Sequence, residues 1–194
     1  LKNTSFNDDY ILFIDNGFDH PDRVINDNKI NNLERDNYYK NLFNFLDKLK
    51  KIFNVELLYC KHPKANYPYN KFFKLIEGEF HFPKESTLNL IQKSKLVIFS
   101  ETTLINPIIL FKKKIILLES KYLGNYLNSK VESIKKEIDL FSISLENFEI
   151  KDKDKLNQQI SDKLYLYDNF IYKNIFLKEN ISSFEQINKL LNLE

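Results

Sequence analysis

The stretch LVIFSETTLINPIILFKKKIILL, residues 96–118, decides the fold. Leu96–Phe99 and Ile115–Leu118 are apolar runs without alternation, the pattern of strands covered on both faces. Between them, Thr103–Phe111 reads as a helix. Strand, helix and strand in so short a span describe a crossover between parallel neighbours.

Working outward toward the N-terminus, Tyr10–Ile14 is another run of the same kind, closed by the turn chemistry of Asp15-Asn16-Gly17. The polar segment from Asp19 to Asn37 reads as a long loop. Tyr39, Leu42, Phe43, Leu46, Leu49, Ile52 and Phe53 then recur at three- and four-residue spacings, which predicts an amphipathic helix capped by Asp36. Val55–Tyr59 is the next buried-type strand. A short helix is expected near Asn70–Leu75, a brief strand at Glu79–Phe82, and a helix over Thr87–Ser94 with Ser86 as N-cap.

Toward the C-terminus, Asn125–Ile138 reads as a helix and Phe141–Leu145 as a last strand. Leu156, Ile160, Leu164, Tyr167 and Ile171 keep helical spacing through Asp154–Asn174, and Ser182-Ser-Phe-Glu185 is a capping box opening a final helix to about Leu191. The alternation predicts an α/β fold: an open parallel sheet with helices on both faces and a helical C-terminal segment. Residues 1–150 make up the sheet domain. Residues 151–194 supply helices that pack on it or on a domain outside this sequence.

With 194 residues and 43% apolar side chains, the chain has the material for one ordinary core. Its formal charge of +2 supplies no field for nucleic acid or an anionic membrane. A single cysteine, Cys60, excludes an internal disulfide or a multi-cysteine zinc site, and points weakly to a reducing compartment. No apolar stretch reaches the roughly 20 residues of a membrane span, and no signal peptide is visible. The chain starts at Leu1 and contains no methionine, so it is expected to be a fragment trimmed at its N-terminus.

Ligands of an open parallel sheet bind beyond the carboxyl ends of the strands. Three polar clusters fall there: Asp15–Asp22 after the first strand, Lys61-His62-Pro63-Lys64 after the second, and Ser100-Glu-Thr-Thr103 after Leu96–Phe99. Hydroxyls at the start of a helix can hold a phosphate, although Thr102 or Thr103 serves equally well as a plain N-cap. His62 between two lysines suits a phosphate contact or proton donation, against the simpler reading of a solvated loop ended by Pro63. His20 with Asp15 or Asp22 lacks the ligand density of a metal site, so no metal is expected. Asp152 and Asp154 read as the solvated start of a helix, and Cys60 as a small packed side chain. Neither Gly-x-Gly-x-x-Gly nor a Walker loop is present, which disfavours a dehydrogenase or a P-loop NTPase.

Lys61-His62-Pro63, followed some forty residues later by the strand, Ser/Thr cluster, helix and strand of 96–118, resembles the C-terminal half of bacterial GT-B glycosyltransferases of surface-polysaccharide biosynthesis. The combination of His-Pro with a Ser/Thr pair is similar to that of bacterial sialyltransferases. The resemblance covers about Tyr10–Leu118 and implies a Rossmann-like domain, one half of a GT-B fold, that binds a nucleotide-sugar. A CMP-linked donor is favoured over a UDP-linked one, the acceptor would be a cell-surface glycan, and neither a metal nor a separate cofactor is needed. It assigns His62 to the donor phosphate or to acid catalysis, and Thr102 and Thr103 to the same phosphate. Lys61, Lys64, Pro63 and Ser100 would border the donor. Asp15 or Asp22 is a candidate base, with an absent N-terminal domain as the other source. A cytoplasmic location, peripheral contact with the inner face of the plasma membrane and a homodimeric option belong to the same picture. Two alternatives share the fold: a nucleotide-sugar epimerase and a non-catalytic interaction domain. The chain departs from the pattern at Pro107, where relatives carry an acid, at Lys112-Lys-Lys114, where they have a Gly-Lys-Pro turn, and in lacking a clear acidic-acidic-Gly motif.

Overall fold

A computed structural model describes residues 10–18, 32–63, 74, 76 and 78–176. Five strands form one parallel sheet: β1 (Tyr10–Ile14), β2 (Glu56–Cys60), β3 (Leu96–Phe99), β4 (Lys114–Glu119) and β5 (Ser142–Ser144), in the order β2-β1-β3-β4-β5. The middle strands are buried along their length, every residue of β1 and β3 among them. The uninterrupted apolar runs arise from this double coverage, since neither face meets water.

Helix α1 (Asn32–Phe53) joins β1 to β2, α2 (Thr87–Lys93) precedes β3, α3 (Ile105–Leu110) joins β3 to β4, and α4 (Gly124–Glu137) joins β4 to β5. From β1 the chain first moves one way to β2, then crosses back over β1 to β3 and onward to β5. Right-handed crossovers therefore place α1 on one face and α2, α3 and α4 on the other. Tyr38, Tyr39, Leu42, Phe45, Leu46 and Leu49 form the fully buried stripe of α1. The Tyr10 hydroxyl donates to the Leu90 carbonyl at 2.8 Å, fastening α2 to the central strand.

After β5 come α5 (Lys153–Ser161), α6 (Leu166–Ile171) and a π-helical turn at Tyr172–Phe176. Leu156, Ile160, Tyr167 and Phe170 join the same hydrophobic cluster as the sheet. Phe148 packs edge-on against Phe45 of α1, with ring centroids 5.2 Å apart. The Tyr167 hydroxyl donates to the Lys113 carbonyl at 2.8 Å.

Several expectations are corrected. Helix α1 begins at Asn32, so Asp36 lies inside it and is not its cap. Glu79 is helical, and His81 makes only an isolated bridge to Leu58, in place of a strand over 79–82. Ser86 occupies the N-cap position of α2 without a side-chain capping bond. Helix α3 starts two residues later than expected, after Leu104, so neither Thr102 nor Thr103 is its N-cap. The single helix expected over 154–174 is broken between Ser161 and Leu166. Asp152 caps α5, accepting from the backbone N–H groups of Asp154 and Lys155. The expected helix at 70–75 falls mostly outside the described residues, with Lys74 helical, and the capping box at 182–185 falls wholly outside them.

Two positive-φ residues close helices. Asn54 (φ 52°) ends α1, and Lys112 (φ 51°) ends α3. The N–H of Lys112 reaches the Ile109 carbonyl at 2.9 Å and that of Lys113 reaches Ile108 at 3.1 Å, the paired bonds of a Schellman motif. Lys112 thus holds the left-handed position that glycine favours.

Candidate functional site

The strand order reverses direction at β1 and β3, and in doubly wound sheets the crevice at that switch point is where ligands bind. Two predicted clusters flank it, and the third lies one strand over. Ile14 pairs with Cys60 and Phe13 with Ile98. Continuing each register by two residues sets Asn16 beside His62 on one side and Asp15 beside Ser100 on the other. The Asp15 N–H extends the β1–β2 ladder by donating to the Cys60 carbonyl at 2.9 Å.

The turn after β1 is tightly built. The Asp15 carboxylate accepts from the Gly17 N–H at 3.1 Å, an Asx-turn, and Gly17 has φ 67°. A Cβ on Gly17 would lie 2.6 Å from His62 Cγ and 2.8 Å from Nδ1. The imidazole therefore rests against bare backbone, and glycine is required by space as well as by φ. Phe18 closes the turn by packing on Tyr38, with centroids 4.4 Å apart. His62 and Lys61 are half-buried and Pro63 is exposed; the Lys61 ammonium sits 4.0 Å from the Phe82 ring centroid, a cation–π contact. Next to them, Cys60 Sγ lies 3.3 Å from Thr87 Oγ1. Burial pushes this thiol's pKa above its ordinary 9.0, the Thr87 contact opposes the rise, and the Asp15 charge adds to it.

At the third cluster Ser100 is buried, Glu101 and Thr102 are half-buried and Thr103 is exposed. Thr102 Oγ1 accepts from the Leu104 N–H at 3.1 Å, a turn that leaves the hydroxyl hydrogen able to donate outward. His20, Asp22 and Lys64 lie outside the described residues. Among the described residues no group of three or more His, Cys, Asp or Glu could hold a metal ion. Nor is any described helix long and apolar enough to cross a membrane.

Two features were not anticipated. Among the described residues, Asn16, 2% exposed, finds no hydrogen-bond partner for Oδ1 or Nδ2, and Ser100, 1% exposed, finds none for Oγ. The sequence signals Asn16 only as one residue of a turn. Further along the same edge Glu146 gathers the Ser120 hydroxyl at 2.5 Å, the Ser144 hydroxyl at 3.1 Å and the Lys121 N–H at 3.3 Å. No sequence pattern links Ser120 to Glu146. A cavity of about 520 Å³ borders the outer strand β5 and α5, lined in part by Ser142, Phe148, Lys151 and Gln159, and none of the predicted site residues lines it.

No protein-family model and no curated protein matches this chain in sequence. Among solved structures, the Methanocaldococcus jannaschii UDP-GlcNAc 2-epimerase in complex with UDP-GlcNAc and UDP is similar, with TM-score 0.52 and 16% identity over 82% of this chain and 40% of that one. A second structure of the epimerase from that organism gives 0.45, too low to argue from, at 16% identity over 81% of this chain and 39% of its own. The likeness shows the fold alone, a Rossmann-like α/β domain, and the chain spans less than half of the epimerase's length.

Proposed function

We propose that this chain is the nucleotide-sugar-binding half of a GT-B-like enzyme that transfers a sugar to a cell-surface glycan. The observation that carries the reading is the convergence of the loops after β1, β2 and β3 on the switch-point edge, with His62 seated against Gly17. A departing nucleotide phosphate needs neutralisation by donors fixed in advance. His62, the Thr102 and Thr103 hydroxyls and the local lysines Lys61 and Lys64 are the groups of that type, with Pro63 and Ser100 at the border of the site. The donor is CMP-linked, with UDP as the other option. The acceptor's proton goes to Asp15 or Asp22, or to a carboxylate of the other half of the enzyme.

Epimerisation of a nucleotide-sugar is the second reading, favoured by the fold likeness to the UDP-GlcNAc 2-epimerase. Both readings require nucleotide binding. Titration with CMP, CDP and UDP is expected to saturate, and to be lost in His62→Ala and in Thr102→Ala/Thr103→Ala. A folded wild-type chain that binds none of them would overturn both enzyme readings and leave an interaction domain. Product analysis, free epimer against glycosylated acceptor, separates the two.

A further inference from the structure

We infer that the outer edge of β5 docks an extended, acidic peptide segment of a partner protein. The site lies away from the switch point, at the end of the sheet beyond β4. It is independent of the nucleotide-sugar reading, and neither stands or falls with the other.

The two edges of the sheet are treated differently. Along β2 the chain covers its own edge: the Tyr59 N–H donates to the His81 carbonyl at 2.8 Å, and His81 bridges Leu58. The opposite edge, β5, has no such cover among the described residues. The direction of the ladder identifies its open groups. The Leu117 N–H donates to the Phe141 carbonyl at 2.9 Å and the Leu145 N–H to the Glu119 carbonyl at 2.9 Å, so residues 141, 143 and 145 turn their pairing groups toward β4. Ser142 and Ser144 therefore point theirs outward. The Ser144 carbonyl accepts from the Asn147 N–H at 3.3 Å. The Ser142 N–H and carbonyl and the Ser144 N–H remain without a bond among the described residues, in the spacing that an incoming extended backbone matches.

A cavity supplies room beside these groups. It holds about 520 Å³ and is lined by Ser142 and Ser144 on one side and by residues of α5 on the other. Phe141, Ile143 and Phe148, each partly buried, give it an apolar wall. A strand of three residues offers few ladder bonds. The docking segment therefore adds an apolar side chain against this wall and a charge at the rim.

The rim selects the sign of that charge. Glu149 pairs with Lys151 at 2.8 Å, and Asp152 is occupied in capping α5. Lys155, exposed in the first turn of α5 and lining the same cavity, has no carboxylate partner among the described residues. A carboxylate on the docked segment completes that pair.

The test pans a display library of random heptapeptides against the full chain, with Ser142→Pro as the counter-selecting control. Proline removes the outward N–H, and an edge strand tolerates it. Recovered peptides are titrated by fluorescence anisotropy. Binding is expected to weaken by about tenfold or more in Ser142→Pro, or when the peptide backbone is N-methylated on its pairing face. Lys155→Glu is expected to weaken it roughly fivefold, and exchanging the peptide's acidic residue for lysine to recover that loss. On binding, amide hydrogen exchange followed by NMR slows at Ser142 and Ser144.

Peptides that bind Ser142→Pro as tightly as wild type, with those two amides still exchanging freely, overturn the inference. So does the failure of folded wild type to enrich any peptide over the control. A dimer seen in analytical ultracentrifugation and lost in Ser142→Pro overturns it in favour of a second copy of this chain on the edge. Should Ser142→Pro not fold, the N-methylated peptide and Lys155→Glu decide.

Discussion

Ser100 and Ser120 hold equivalent places, each the first residue after a buried parallel strand, at 1% and 4% exposure. Their surroundings differ in kind. Ser120 gives its hydrogen to Glu146 at 2.5 Å and accepts the Tyr122 N–H at 3.2 Å, so its hydroxyl ties β4 to the turn that opens α4 and to the chain beyond β5. Among the described residues Ser100 has no such partner, nor does Asn16 across the switch point. Two stretches of one sheet edge thus spend similar side chains differently. The β4–β5 end uses polarity to fasten loops, and the β1–β3 end leaves the Asn16 and Ser100 side chains without a hydrogen-bond partner among the described residues.

The sharpest way to break this contrast is at the turn the open end is built on. Gly17→Val should cost about 2–4 kcal/mol in urea unfolding, from the left-handed backbone and from collision with the His62 ring. Adding His62→Ala should restore the steric part of that loss, and a double variant no more stable than the single would show that His62 does not set the constraint.

The serines themselves come next. Ser120→Ala should destabilise by about 1–3 kcal/mol, because the Glu146 carboxylate and the Tyr122 N–H both lose a bond. Ser100→Ala should be neutral or stabilising in the same experiment. Equal losses at the two serines would erase the distinction.

A smaller change probes the connection between β3 and β4, which lies at the amino end of β4. Lys112→Gly should stabilise by about 0.5–1 kcal/mol, since glycine relieves the left-handed backbone. The surface ion pair to Asp168 that it removes, 3.1 Å between two exposed groups, is worth little.

Smallest is an effect on reactivity. Burial raises the Cys60 pKa above 9.0, so the thiolate that reacts with iodoacetamide is scarce at neutral pH, and the rate should climb only on the alkaline side of 9.0. Asp15→Asn, by removing a nearby charge that disfavours the thiolate, should speed the reaction at a given pH. An unchanged rate would mean that Asp15 has no electrostatic reach at this edge.

Much of the scaffold was legible residue by residue. The runs at Tyr10–Ile14, Leu96–Phe99 and Ile115–Leu118 announced buried parallel strands because burial on both faces leaves no polar alternation. Boundaries and caps were less legible: Asp36, Ser86 and the Thr102–Thr103 pair are all good capping residues, yet none caps a helix by its side chain here. Of the site, the three clusters could be located because strand ends are visible in sequence. Asn16 escaped notice, since its orphaned carboxamide depends on what surrounds it in space, and so did the Ser120–Glu146 bond, which joins residues 26 apart across two strand ends.

The amino-acid sequence by itself determined which segments are strands and helices, through apolar runs and three- and four-residue spacings that act over a few neighbours. It also determined the turn chemistry of Asp15-Asn16-Gly17. Only the tertiary structure decided the order β2-β1-β3-β4-β5, and with it the pair of loops that meet at the switch point. Crossover direction is set by packing between distant segments, and whether a buried polar atom finds a partner is settled by the same distant contacts.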